Sequence, residues 1–304
     1  MKIFVTGGTG FVGSALVPHL LDAGHEVRLL ARPSERGRPL DPRAAVVEGD
    51  PTRPGPWAES VAGCDAAVNL AGAPIFCRWT PQAKQLLRDS RVLTTRNLVA
   101  ALPEGRPYTL VSTSAVGIYG NAGERELDEG APLGTDFLAG VARDWEQEAL
   151  AAEGKGVRTV ITRFAVVLGP GGGALEQLVK ATRNFAGGPV GKGTQRFSWI
   201  HRLDLLRALS FLLERSDLAG VFNLGAPNPA RQIDVARALG RLLHRPAFVP
   251  APAFALRIVL GELADVLLSG QKMLPRRLQE AGFAFEFPEV EGALREILGR
   301  DETP

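Results

Sequence analysis

Lys2-Ile3-Phe4-Val5-Thr6-Gly7-Gly8-Thr9-Gly10-Phe11-Val12-Gly13 is the stretch that decides the fold. Ile3-Phe4-Val5 is an apolar run of buried-strand type, and glycines at 7, 8, 10 and 13 follow it immediately. Val12, Leu16, Leu20 and Leu21 then share one face of a helix that stops at Gly24, a residue suited to a C-terminal cap. Two spacings overlap in the turn: Gly8-x-Gly10-x-x-Gly13 and Gly7-x-x-Gly10-x-x-Gly13. The chemistry explains the residue type. The turn needs a positive φ, a ligand must reach the backbone without meeting a Cβ, and strand and helix must pack closely at Gly13. The helix start then offers unpaired N–H groups and a partial positive charge to an anion. Strand, glycine turn and helix in this order predict a pyrophosphate cradle.

Outward from that turn, short apolar runs alternate with helical patterns. Val27 to Leu30, Ala44 to Val47, Ala66 to Leu70, Thr109 to Val111 and Thr159 to Ile161 read as further strands. Helical patterns lie near 81–102 and 136–152. Runs this apolar belong in a sheet covered on both faces. The expectation is an α/β protein with a Rossmann-type doubly wound parallel sheet. Residues 1–168 form the dinucleotide-binding domain and 169–304 a smaller, mainly helical C-terminal substrate lobe. Within the second lobe, helices are expected near 174–186, 203–214 and 232–243, and a strand at 220–224 returns to the sheet. The tail from 252 reads as mainly helical with proline stops at Pro275 and Pro288, and Asp301 to Pro304 as a loose end.

Composition narrows the function classes. The chain has 304 residues with 35 basic against 33 acidic side chains, a balance that argues no nucleic-acid partner. Two cysteines, Cys64 and Cys77, give neither a disulfide framework nor a four-ligand metal site. Histidines 19, 25, 201 and 244 lack metal spacing, so no metal is expected. Met1-Lys2 runs straight into the first strand, and the apolar stretch Phe254 to Ser269 is broken by Arg257, Glu262 and Asp265. The reading is a cytoplasmic protein with no membrane partner, a monomer or homodimer, acting on a small molecule.

The end of the second strand selects the dinucleotide. Leu30-Ala31-Arg32-Pro33-Ser34 holds no carboxylate for ribose hydroxyls and an arginine instead. A guanidinium pairs with a 2′-phosphate and stacks on adenine, which favours NADP(H) over NAD. The expected cofactor residues are Gly7, Thr9, Gly10, Phe11, Val12 and Gly13 in the turn, with Arg32, Asp50, Leu70, Ala71 and Gly72 at later strand ends. Arg78-Trp79 follows the fourth strand's glycine and suits a flat or anionic substrate. Cys77 lacks an adjacent activator and reads as inert.

On these residues the chain resembles the extended short-chain dehydrogenases/reductases, the superfamily of nucleotide-sugar epimerases and dehydratases. The resemblance runs from Thr6 to Gly13 through Asp50, Asn69 to Gly72 and Thr95-Arg96-Asn97-Leu98. It continues in Ser112-Thr113-Ser114, Ile118-Tyr119-Gly120, Arg163-Phe164 and Leu168-Gly169-Pro170-Gly171, and ends in Trp199-Ile200-His201 with Asp204 and Phe222-Asn223-Leu224-Gly225. More narrowly, Arg78-Trp79-Thr80, Asp136-Phe137-Leu138, Arg143-Asp144-Trp145-Glu146 and Ser198 to His201 are similar to an "epimerase family" subgroup of atypical members.

The resemblance implies a Tyr-x-x-x-Lys pair aided by a serine, in which lysine lowers the tyrosine pKa from about 10. The chain departs from it. Only Tyr108 and Tyr119 occur, followed four residues later by Ser112 and Gly123. On the helix that should carry the pair, its positions fall on Phe137 and Val141 or on Leu138 and Ala142. Ser114 aligns with the superfamily's serine. The remaining candidates are Tyr119 as an acid, His201 by its intrinsic pKa, and Arg143 as an anion clamp. Asp136 and Asp144 read as the helix start and its solvated face. The expectation is an NADP(H)-dependent reductase whose acceptor needs no protein base. A non-catalytic NADP(H) sensor or scaffold is the alternative, and a nucleotide-sugar epimerase or dehydratase stands third.

Overall fold

Seven parallel strands carry the chain in a computed structural model that describes residues 1–35 and 37–300. They are β1 (Lys2–Thr6), β2 (Glu26–Ala31), β3 (Ala45–Glu48), β4 (Ala66–Asn69), β5 (Thr109–Ala115), β6 (Arg158–Phe164) and β7 (Gly220–Leu224). Their order is β7-β6-β5-β4-β1-β2-β3, so the winding reverses between β1 and β4. Ligands of such sheets bind outside the carboxyl ends of the strands at that reversal. Register fixes the place: Thr6, the last residue of β1, lies beside Leu30 of β2 and Asn69 of β4. Helices on both faces bury the sheet, and Ile3, Phe4 and Val5 have no exposure.

Local chemistry sets the helices of this lobe: α1 (Gly13–Asp22), α2 (Trp57–Ala62), α3 (Pro81–Ala101) and α4 (Phe137–Leu150). After α1, Gly24 takes φ +82° while its N–H reaches Leu21 O and that of His25 reaches Leu20 O, a left-handed stop that satisfies the last carbonyls. Thr80 accepts from the Ala83 N–H and Pro81 takes the first position of α3. Asp136 accepts from the Ala139 N–H at 2.9 Å, the helix-start role expected of it.

The remaining helices are α5 (Gly173–Arg183), α6 (Arg202–Glu214), α7 (Gln232–Leu242), α8 (Ala253–Leu260), α9 (Leu263–Leu268), α10 (Arg276–Glu280) and α11 (Val290–Arg300). Leu175, Trp199, Leu239, Leu294 and Ile297 gather α5, α7 and α11 into a second core. Helix α6 instead sends Leu205, Leu209 and Leu212 into the core beneath the sheet, and β7 then pairs with β6 at the edge. The chain therefore returns to the sheet over 202–224.

The tail differs from its reading. Pro275 and Pro288 do not end helices. Helix α9 has already ended at Leu268, Pro275 caps the start of α10, and Pro288 precedes α11. A fixed φ and a missing N–H suit a helix start as well as a stop. Lys272–Met273 also forms a short strand alongside Glu126–Leu127. Among the described residues no helix is long and apolar enough to cross a membrane. Asp301 to Pro304 lie outside the described residues.

Candidate functional site

The glycine turn is built as its spacing requires. Gly7 has φ +69°, and a Cβ there would sit 2.6 Å from Leu70 C and 2.7 Å from Ala71 N. Only glycine lets the turn lie against the segment after β4. A Cβ on Gly13 would meet Gly7 O at 2.3 Å, which is why α1 starts with a glycine pressed on the turn. Gly10 is exposed, and its Cβ would touch only Gly7 O, at 3.2 Å. Among the described residues the N–H groups of Phe11, Val12 and Gly13 reach no backbone carbonyl, while Gly10 N–H and Ser14 N–H are bonded within the turn. The N–H groups left without backbone partners therefore cluster at Phe11 to Gly13.

Beyond β2 the structure corrects the sequence reading. A carboxylate is present at that rim after all: the turn Pro33–Glu35 folds Glu35 back until it is 7% exposed. Glu35 accepts from the Thr9 hydroxyl at 2.7 Å, from the Arg32 N–H at 3.1 Å and from Arg32 Nη2 at 3.1 Å. Burial alone would raise its pKa. The bonds from Arg32 and Thr9 outweigh burial and bring it down to about 2. Arg38 lies 3.5 Å from the same carboxylate and donates to Thr9 O at 3.2 Å. The side chains of Arg32 and Arg38 stay 55% and 54% exposed, each with N–H donors left over. Asp50, after β3, spends Oδ1 on the Thr52 N–H and hydroxyl.

The end of β4 is held by Asn69, which has no exposure. Its Oδ1 accepts from the Thr6 hydroxyl at 2.7 Å, and its Nδ2 donates to Thr95 Oγ1 at 2.8 Å and Ser112 Oγ at 3.3 Å. One amide thus ties β1, β4, β5 and α3 and fixes the path of Leu70, Ala71 and Gly72. Ser90 Oγ accepts from the Ala73 N–H at 2.9 Å and holds the next residue.

The α4 positions where the superfamily's pair would stand are hydrocarbon. Val141 and Ala142 are buried at 6% and 4%, and Leu138 packs toward Gly117 just past β5. Phe137 meets Trp79 edge-on, with centroids 5.3 Å apart, under the ammonium of Lys84. Neither register puts an acid or base at the pair's positions on α4. Ser114, on β5, is 1% exposed and its Oγ has no partner.

Of the expected substrate and catalytic residues, Trp79, Tyr119, His201 and Arg143 each hold a bond within the fold, and Arg78 is exposed. Arg78 and Trp79 do not stack: Trp79 donates to Ile75 O and packs on Phe137, while Arg78 is exposed. Tyr119 does have a cationic neighbour, since Arg163 Nη1 donates to its hydroxyl at 2.9 Å. Yet the ring is 1% exposed, the hydroxyl lies 2.7 Å from Asn223 Oδ1, and burial raises its pKa despite Arg163. Arg163 itself makes two 2.8 Å bonds to the buried Glu146. This is core architecture without an opening. His201, 4% exposed, caps α6: Nδ1 accepts from the Leu203 N–H at 3.1 Å, so the proton sits on Nε2, 3.0 Å from Glu296. Asp204, beside it, accepts from the N–H groups of Glu286 and Phe287. Arg143 is exposed and donates to Gly134 O at 2.9 Å, and Asp144 pairs with Arg88 at 2.8 Å.

Sequence reasoning missed Glu35 and Arg38 at the rim and Arg91 with Trp145 between α3 and α4. Glu35 directly follows Leu30-Ala31-Arg32-Pro33-Ser34, the stretch that lacks a carboxylate. Arg91 stands one helical turn before Thr95, a contact of Asn69.

A parallel sheet with a glycine turn at its switch point defines a Rossmann-type α/β protein of the short-chain dehydrogenase/reductase kind. Residues 3–225 match the NAD dependent epimerase/dehydratase family, and the chain belongs to it; residues 251–297 match a domain of unknown function (DUF1731). The chain is 42% identical over 305 residues to the chloroplastic SDR39U1 homolog of Arabidopsis thaliana, covering 98% of this chain and 87% of that one. It is 35% identical over 306 residues to the epimerase family protein YfhF of Bacillus subtilis, covering all of both chains. Human SDR39U1 (isoform 2), solved with NADPH, has TM-score 0.85 and 36% identity, with 98% and 99% of the two chains covered. The "epimerase family" names of these relatives agree with the atypical subgroup that the sequence resembles.

Proposed function

We propose that the chain is an NADP(H)-dependent reductase acting on an acceptor that takes hydride without a protein base. The observation that carries this reading is the wall of Phe137, Leu138, Val141 and Ala142 where the superfamily's proton-transferring pair would stand. A dinucleotide fits the residues present. Gly7, Gly10 and Gly13 leave the space a Cβ would fill, and Phe11, Val12 and Gly13 turn free N–H groups toward a pyrophosphate. Thr9, Arg32 and Asp50 would hold the adenosine end, with Arg32 and Arg38 on a 2′-phosphate; Leu70, Ala71 and Gly72 would line the nicotinamide end. NADPH in the crystal of the human relative supports this choice. When bound, the dinucleotide supplies hydride.

The residues of the chain then orient and polarise. Ser114 Oγ, buried and unbonded, donates to a carbonyl or imine acceptor. The apolar wall excludes water from the transfer and leaves the proton to come from solvent at the mouth. Conjugated C=C and C=N bonds and flavin-like rings meet these terms. A sugar alcohol does not, because its oxidation needs a base. The free thiols Cys64 and Cys77 support a reducing, cytoplasmic setting for a monomer or homodimer acting on a small molecule.

A second reading has its own support. Phe11 of the glycine turn lies under the Arg202 guanidinium, 5.0 Å away, and against Gly172 and Gly173 at the start of α5. A dinucleotide on the turn would therefore stiffen the second lobe, as a sensor requires. Calorimetry with NADPH and NADH, followed by absorbance at 340 nm over a panel of enones, imines and flavins, separates the two. Consumption that vanishes in Gly10→Val supports the reductase. Binding without turnover across the panel supports the sensor, and failure of both dinucleotides to bind at millimolar concentration sinks both.

A further inference from the structure

We propose that Arg91 and Trp145 form an anion-recognising pair beside the segment that follows β4, so that the molecule reduced there carries a carboxylate or an equivalent oxyanion. The inference rests on the reductase reading and names its substrate class.

Arg91 lies under the segment after β4. Its Nη2 donates to Ala73 O at 3.0 Å, its Nη1 to Leu87 O at 2.9 Å, and its Cζ would stand 3.0 Å from a Cβ at position 72. Gly72 has no side chain, and the guanidinium occupies that space. The cation also sits 5.4 Å from the centroid of the Trp145 ring. Two of its five N–H donors are thus used, and among the described residues it has no ion pair. The acids of α4 that face α3 are already taken: Asp144 by Arg88 at 2.8 Å and Glu148 by Arg96. Burial with no acid alongside lowers the Arg91 pKa to about 10, which leaves it charged at neutral pH.

One more donor is left over beside it. Trp145 Nε1, in a side chain 5% exposed, has no partner. Buried polar atoms are bonded in the great majority of proteins. Here the Trp145 indole is an unbonded donor beside a cation that has no ion pair among the described residues. Their complement is an acceptor group of negative charge.

A purely structural Arg91 would hold the loop through its two carbonyl bonds and show no preference for charge. The test therefore reads charge preference in the NADPH-loaded protein. Benzoate and cinnamate are titrated against benzamide and cinnamamide, followed by tryptophan fluorescence, with NADPH affinity measured separately by calorimetry. The carboxylates should bind about tenfold or more tighter than the amides. Arg91→Met should erase that preference, Arg91→Lys keep part of it, and Trp145→Phe weaken carboxylate binding, each read at saturating NADPH. Equal binding of acids and amides to the wild type overturns the proposal, as does absence of carboxylate binding or a preference that survives in Arg91→Met. Should Arg91→Met not fold, the wild type and Arg91→Lys decide, an undiminished preference in the lysine variant counting against the bidentate role. Loss of NADPH binding in the wild type is a different outcome and strikes the reductase reading itself.

Discussion

The Thr9 hydroxyl donates to Glu35 Oε1 over 2.7 Å, fastening the glycine turn to the turn that follows β2. The carboxylate that receives it is held at about 2 in spite of burial, by Arg32 and Thr9. A group whose folded pKa is depressed adds stability that is full above its unfolded value and is lost as pH falls toward the folded one. The contribution of Glu35 should therefore be constant above about pH 4.5 and disappear between there and about pH 2. Urea unfolding of wild type and Glu35→Gln across this window checks it. The wild type should be the more stable at pH 6 and converge on the variant in acid, and parallel curves would contradict the assignment.

Arg32 donates to that same carboxylate while more than half exposed. A charge-assisted bond to a phosphate is worth about 1.5–3 kcal/mol. Arg32→Ala should accordingly weaken NADPH binding by about tenfold or more and leave NADH within about twofold. Calorimetry with both dinucleotides measures it. Equal losses for the two would mean that Arg32 serves the fold and not the 2′-phosphate.

These contacts mark the border of what the sequence discloses. The glycine turn and the strands were legible because each is local: a run such as Ile3-Phe4-Val5 states its own burial, and Gly7, Gly10 and Gly13 state a spacing. Residues 202–224 were legible as a helix and a returning strand for the same reason. The carboxylate at the NADP-selecting rim was not, because Glu35 reaches Thr9 only once β1 and β2 are paired. Tyr119 and His201 have the residue types of an acid and a base, and only tertiary structure encloses one with Arg163 and caps α6 with the other. Proline is locally ambiguous, which is how Pro275 came to be expected at the wrong end of a helix.

The buried pair of Arg163 and Glu146, with side chains 6% and 8% exposed, gives a third expectation. Removing one partner of such a pair strands the other charge and costs about 3–5 kcal/mol. Glu146→Gln should fall in that range in urea unfolding. Tyr119→Phe removes a neutral partner and should cost about 1–2 kcal/mol. Since the Tyr119 hydroxyl is walled in, the phenylalanine variant should retain the wild-type pH profile of NADPH consumption. A changed profile would return Tyr119 to the reacting centre.

Glycines in the two halves of the site should respond with opposite sign. At Gly13 a Cβ would lie 2.3 Å from Gly7 O and 2.4 Å from Gly8 Cα, both backbone atoms that cannot rotate away. Gly13→Ala must shift the turn and should cost about 1–3 kcal/mol together with NADPH affinity. At Gly140, inside α4, a Cβ would meet nothing within 4 Å, and its N–H is bonded to Asp136 O at 2.9 Å. Alanine there keeps the helical backbone and narrows the unfolded ensemble, so Gly140→Ala should add about 0.5–1 kcal/mol. Because Gly140 lies on the helix that carries Phe137, Leu138, Val141 and Ala142, the stabilised variant should bind NADPH as the wild type does. Urea midpoints of the two variants, read with calorimetric NADPH affinities, separate a glycine that the cradle requires from one that the helix merely tolerates; a destabilised Gly140→Ala would mean that α4 packs more tightly against its surroundings than these contacts allow.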